Sequence, residues 1–190
     1  MVIIPQFARL LVSLVRPTMP MKIVKWYDEA ELKAAVPEYT KKYDAKSLDG
    51  AKDAELFFKA LAGSVVSSRD ASDDDKKDFY ENLMTDVEEY NSLAYFIEIR
   101  GTPTKIVLKL KPNEFQIGLF EGTYEPFTDI KNNVWMDWTP ATQMQIMRGN
   151  PNTDAQFFSG ELTVKGSLKL ATKPRQWIYD FYDFIDREVD

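Results

Sequence analysis

The chain has 190 residues, 44% of them hydrophobic and 28% charged, and a net charge of −6, the makeup of a globular protein long enough to bury a real core. It contains neither His nor Cys, which removes the usual general base near neutral pH, thiol nucleophiles, disulfides and the commonest zinc ligands. No GxSxG, P-loop or GxGxxG organises the remaining carboxylates, Lys, Tyr, Ser and Thr, and an acidic middle without a Lys/Arg cluster argues against nucleic acid as a partner.

Residues 1–20 carry Ile3, Ile4, Phe7, Leu10, Leu11, Leu14 and Val15 at helical spacing, with Gln6, Arg9, Ser13 and Arg16 opposite them. The stretch is too short for a membrane span, is interrupted by Arg9 and lacks the marks of a secretory signal. Three readings stay open. It docks on the domain or a partner, it lies on a membrane surface, or it lies upstream of the true start, since Met19 and Met21 precede what reads like an ordinary cytosolic beginning.

Residues 28–91 predict helices. Asp28 is an N-cap candidate before EAELKAAV, with Pro37 expected to break or restart that segment. Asp49 or Asp53 opens a second helix that presents Leu56, Phe57, Ala60 and Leu61 and ends near Gly63. Ser72, with Asp75 three residues on, opens a third, striped by Phe79, Leu83, Val87 and Tyr90. The run Asp73–Asp75 reads as a solvated helix start, favoured by the helix dipole, ahead of a metal site.

From Ser92 the period changes to two. Leu93, Tyr95, Ile97 and Ile99 form one apolar face; Ile106, Leu108 and Leu110 follow a Gly-Thr-Pro turn, and Phe115, Ile117 and Leu119 follow a Lys-Pro-Asn turn. This predicts a three-stranded antiparallel meander with a mostly polar opposite face. Further strands are expected at Asn133–Trp138 and Glu161–Lys165. Thr139 and Pro140 start a helix through Met144 and Met147, a short helical turn carries Phe157 and Phe158, and another presents Leu168 and Ala171 until Pro174 interrupts it. A last amphipathic helix runs from Trp177 through Phe181. The chain divides into an amphipathic segment over 1–20, a helical lead-in over 21–91 and a domain over 92–190, of α+β class. Asp137, between two Trp residues, is the best candidate for a perturbed carboxylate, although a strand residue there is more simply exposed.

The run NVWMDWT, followed by TPATQMQIMRGNPNTDAQFFSGELTVKGSLKLA, sets a strand, a Met-rich helix, an Asn-Pro turn, a Phe-Phe pair, a strand and a Gly-started helix in order. That order resembles the sterol carrier protein 2 (SCP2) family. The resemblance covers roughly Ser92–Ile185 and implies a five-stranded, mainly antiparallel sheet with helices on one face and an apolar tunnel between them. It implies non-catalytic binding or carriage of a lipid, fatty acid or fatty acyl-CoA, with no cofactor and no metal. The residues expected around the ligand are Ile99, Leu108, Phe115 and Ile117 as floor. Met144, Met147, Phe157, Phe158, Leu168, Ala171, Trp177 and Phe181 form the expected roof, where polarisable Met side chains can re-pack around varied acyl chains. Here about 90 residues precede the meander, more than the family's short lead-in, so they either cover the tunnel mouth, fill it, or form a homodimer surface. The alternative function is an interaction or assembly module whose cavity is filled by its own side chains or by the N-terminal helix. The C-terminus lacks the peroxisomal tripeptide of eukaryotic members, and with no disulfides a cytoplasmic location is expected, membrane contact being at most transient.

Overall fold

The computed structural model describes residues 19–112, 114–151 and 154–188. The amphipathic reading of residues 1–18 lies outside them.

The chain enters as a strand, β1 (Lys22–Trp26), then forms helices α1 (Glu29–Asp44), α2 (Ala54–Arg69) and α3 (Asp78–Tyr90), with a 3-10 turn at Asp74–Lys76 ahead of α3. The meander follows as β2 (Leu93–Ile99), β3 (Lys105–Lys111) and β4 (Glu114–Glu121), then β5 (Asn132–Trp138). Helices α4 (Pro140–Ile146) and α5 (Asp154–Ser159), strand β6 (Leu162–Lys165), and helices α6 (Leu168–Ala171) and α7 (Pro174–Phe184) complete it. The sheet order is β1-β4-β3-β2-β5-β6.

Two expectations about the sheet are corrected. It has six strands where five were expected, because β1 adds antiparallel to β4. It is also mixed: β2 and β5 pair in parallel, in register from Leu93 opposite Asn132 to Ile99 opposite Trp138. β1 hides in the sequence because it is a five-residue edge strand, mostly exposed and carrying Lys22 and Lys25, the residues that protect an open edge from further pairing. Its approach depends on Gly118 of β4, where a Cβ would lie 2.2 Å from the Lys25 carbonyl oxygen.

The helices depart from expectation at their starts and interruptions. Asp28 and Glu31 form a capping box for α1, which runs unbroken through Pro37. Pro37 lies on the exposed side, where water can satisfy the carbonyl its missing N–H leaves free. α3 begins at Asp78, not at Ser72; the preceding turn is tied down by Ser68, whose Oγ donates to the Lys76 carbonyl (2.6 Å) and accepts from the Tyr80 N–H (3.0 Å). Pro174, expected as an interruption, is the first residue of α7, where its missing N–H would have had no partner.

The main core lies between one face of the sheet and the helices. α2 runs through its centre, with Phe57, Ala60 and Leu61 buried beside Tyr95, Ile97 and Leu108 of the strands. The hydroxyls of Tyr39 (α1) and Tyr182 (α7) both reach the Met147 carbonyl oxygen, at 2.7 and 2.6 Å, and so join three helical segments. The opposite face is not mostly polar, as expected, but carries a second cluster. There Ala94, Phe96, Val107 and Phe120 are covered by the segment between β4 and β5 through Ile130, Tyr124 and Phe127.

Candidate functional site

Strand parity sends Tyr95 and Ile97 of β2, Leu108 of β3, and Met136 and Trp138 of β5 to the helical side of the sheet. Above them come Phe58 and Leu61 from α2, Ile146 from the end of α4, and Pro174, Trp177 and Ile178 from α7. These residues enclose an apolar void of about 40 Å³. A second void of about 50 Å³ adjoins it, sharing Met136, Trp138, Ile146, Pro174 and Ile178 and extending to Leu162, Ala171, Thr172 and Arg175. The outer void differs from the inner one in reaching partly exposed residues of α6 and the start of α7, Ala171, Thr172 and Arg175. Each is far smaller than the several hundred Å³ of an ordinary ligand pocket.

The polar groups around this space hold its walls. Trp177 Nε1 donates to Asp86 Oδ2 (2.9 Å), and Lys173 donates to the other oxygen of the same carboxylate (2.6 Å). Tyr95 Oη donates to the Leu170 carbonyl (3.0 Å), which pins α6 to the sheet. Burial raises the Tyr95 phenol well above its ordinary range. Trp138 Nε1 donates to Gln143 Oε1 (2.8 Å), while the fully buried Gln143 leaves its Nε2 without a partner among the described residues. Gln143→Leu is expected to destabilise by about 1–3 kcal/mol by stranding the Trp138 N–H. The pair Trp138→Phe/Gln143→Leu should be less destabilised than the sum of the singles, which urea unfolding of all four proteins would reveal.

The residues expected around a ligand separate into four groups. Leu108 and Trp177 line the inner void, and Ala171 lines the outer one. Ile99, Ile117, Met147 and Phe181 are buried core residues that do not line either, and Phe115 is half-buried against the core. Met144 faces a separate cavity beside Tyr43 and Arg148. Phe157, Phe158 and Leu168 point outward; Phe158 is 86% exposed, and no residue of α5 is buried. Sequence reasoning missed Phe58 and Leu61, assigned to a lead-in, together with Tyr95, Met136, Trp138, Ile146, Pro174 and Ile178 of the inner void and Pro151, Leu162, Thr172 and Arg175 of the outer one. The two-residue step from Met136 to Trp138 on a predicted strand was the available signal for those two residues.

Asp137 is neither a simple exposed residue nor a poised acid. It is held by two hydrogen bonds from Arg100 (2.9 Å from Nε, 2.7 Å from Nη2), which keep its carboxyl below the usual range. A lowered carboxylate pKa adds stability that is present above the unfolded value and lost as pH falls through the folded one. Asp137→Asn should therefore be less stable than the parent at pH 7 and approach it as the pH falls below the ordinary aspartate range, as thermal unfolding at a series of pH values would measure.

Among the described residues no helix is long and apolar enough to cross a membrane, and no three acidic side chains converge as a metal site would require.

Several solved structures are similar to this chain. A structure titled Sterol Carrier Protein 2 from Yarrowia lipolytica, apo form, matches 70% of this chain and 94% of its own length at 16% identity, with a TM-score of 0.46. A sterol carrier protein domain 2 from Helicoverpa armigera matches 70% of this chain and 91% of its own at 16% identity and a TM-score of 0.38. A ubiquinone synthesis protein titled UbiJ-SCP2 matches 54% and 77% at 19% identity and a TM-score of 0.38. No curated protein matches. The sequence pattern of the SCP-2 sterol transfer family matches residues 75–178, from the turn before α3 to Ile178 on the roof of the inner void. With more than half of its length covered by that match, the chain belongs to the SCP-2 sterol transfer family.

Proposed function

We propose that this protein binds and carries an apolar lipid, a fatty acid or fatty acyl-CoA, without transforming it. The observation that carries this reading is the pair of adjoining, mainly apolar voids beneath α6 and α7, which share Met136, Trp138, Ile146, Pro174 and Ile178. An acyl chain needs more room than they offer, so loading requires the roof to move. The part of the roof around α6 has few apolar anchors: between Thr163 and Gln176 only Leu170 is buried, and the Tyr95–Leu170 and Lys173–Asp86 hydrogen bonds are what would have to give. Each methylene taken out of water adds about 0.8 kcal/mol, enough over ten carbons to offset repacking of a few side chains. The lack of His and Cys favours carriage over chemistry.

One acyl chain per protein is expected in native mass spectrometry after incubation with palmitate, with displacement of a fluorescent fatty acid in solution. Failure of fatty acids, acyl-CoA and phospholipids alike to bind would overturn the reading.

A second reading is favoured by how completely Trp177 and Phe181 fill the roof, at 2% and 0% exposure. In it the fold is an assembly module whose tunnel is occupied by its own side chains. Removing residues 1–18 would then change oligomeric state in light scattering, with no gain in lipid uptake.

A further inference from the structure

The helical lead-in builds a second cavity, separate from the apolar voids. It measures about 310 Å³ and is lined by Tyr43, Lys46, Leu48, Met144 and Arg148. That volume falls at the lower end of small-molecule sites. Tyr43 comes from the last turn of α1, Lys46 and Leu48 from the loop after it, and Met144 and Arg148 from α4 and its exit. The two sides are fixed to each other, because Gly50 is buried tightly against the Pro140 carbonyl and Met144. The Tyr43 ring is held against those of Tyr39 and Tyr182, with centroids 6.3 and 5.5 Å away.

The lining combines two cations with three partly buried hydrophobic walls and contains no carboxylate. Neither Lys46 nor Arg148 makes a side-chain hydrogen bond or ion pair with the described residues. Of the acids in the α1–α2 connection, Asp44 is engaged by Arg187, Asp53 by Lys42, and Asp49 by the backbone N–H groups of Ala51 and Lys52, while the Tyr43 hydroxyl donates to the Glu188 carbonyl. In a chain of net charge −6, the side chains that line this hollow carry two positive charges and no negative one.

The backbone supplies an independent observation. Lys46 has a φ of +51°, in the left-handed region just past the end of α1. Gly or Asn normally occupies that position, since a larger side chain is strained there. Lys46 thus occupies strained backbone while lining the same hollow as Arg148, the kind of outlier that clusters at binding sites.

The geometry points to a binding site for an organic phosphate with an apolar body: Arg148 and Lys46 on the phosphate, and Tyr43, Leu48 and Met144 against the hydrocarbon. Arg offers the planar fork that matches phosphate oxygens, and Lys a flexible point charge. The shared chemistry is that of a phospholipid headgroup or a small soluble phosphate ester. This inference does not rest on lipid carriage in the apolar voids, and its probes differ.

The test uses the full chain labelled with 13C-methyl methionine and titrated with hexyl phosphate, inorganic phosphate and hexanol. Hexyl phosphate should move the Met144 methyl resonance and bind at least tenfold more tightly than either other probe. Short-chain phosphatidic acid competing more strongly than hexyl phosphate would identify the lipid source, and the reverse order the soluble one. Lys46→Gln with Arg148→Gln should weaken binding at least tenfold and leave the melting temperature and palmitate uptake unchanged. Lys46→Gly separates the two effects: it should raise the melting temperature by relieving the backbone while weakening hexyl phosphate. An unmoved Met144 methyl, equal affinity for inorganic phosphate, or unchanged binding in the double variant would each overturn the site.

Discussion

Trp177→Ala should lower the unfolding free energy by about 3–5 kcal/mol, the usual result of emptying a large buried aromatic site. The indole is 2% exposed, meets Tyr95 edge-on at 5.3 Å between centroids, and donates to Asp86. Its removal joins most of an indole's volume to the inner void it lines. The functional expectation has the opposite sign. If acyl chains occupy that space, the destabilised variant should take up palmitate more tightly than the parent, because less roof has to move. Trp177→Phe isolates the hydrogen bond; to a charged acceptor it is worth about 1.5–3 kcal/mol. Urea unfolding followed by circular dichroism gives the stabilities, and palmitate displacement gives the affinity. A Trp177→Ala protein that folds but binds palmitate less well than the parent would move the ligand space away from α7.

Gly63→Ala sets helix propensity against packing. Gly63 lies within α2, and exchanging an interior glycine for alanine normally stabilises a helix by about 1 kcal/mol. Here the added Cβ would sit 2.1 Å from the Leu32 carbonyl oxygen and 3.0 Å from Val36 Cγ2, so α1 and α2 would have to separate along their closest contact. Forced shifts of this kind cost about 1–3 kcal/mol or more, and the net expectation is a loss of roughly 2 kcal/mol. Thermal unfolding decides it. A neutral or stabilised Gly63→Ala would mean that the crossing dilates freely, and with it the wall that carries Phe58 and Leu61.

The meander was legible because the helix-facing side chains of its strands recur with a period of two: Leu93, Tyr95, Ile97 and Ile99 all enter the main core. The same logic failed for β1, whose short, exposed, lysine-bearing run has no buried face to alternate with. It also failed for the far side of the sheet. Phe96 and Val107 were set on a mostly polar face, yet the segment after β4 returns to cover them with Ile130 and Phe127. Phe157 and Phe158 misled for a related reason. An apolar pair on a short helix contains no record of which way that helix will face.

Local chemistry in the sequence determined the helix caps at Asp28 and Thr139, the three strands of the meander, the α+β class and the order of elements that marks the SCP2 family. Each of these depends on neighbours a few residues apart, where periodicity and hydrogen-bond needs are written directly. The tertiary structure alone decided the parallel pairing of β2 with β5, the entry of α2 into the core, and which residues meet around the voids. It also brought Lys46 and Arg148 to one hollow. These are contacts between segments far apart in the chain, selected by the joint packing of the whole core.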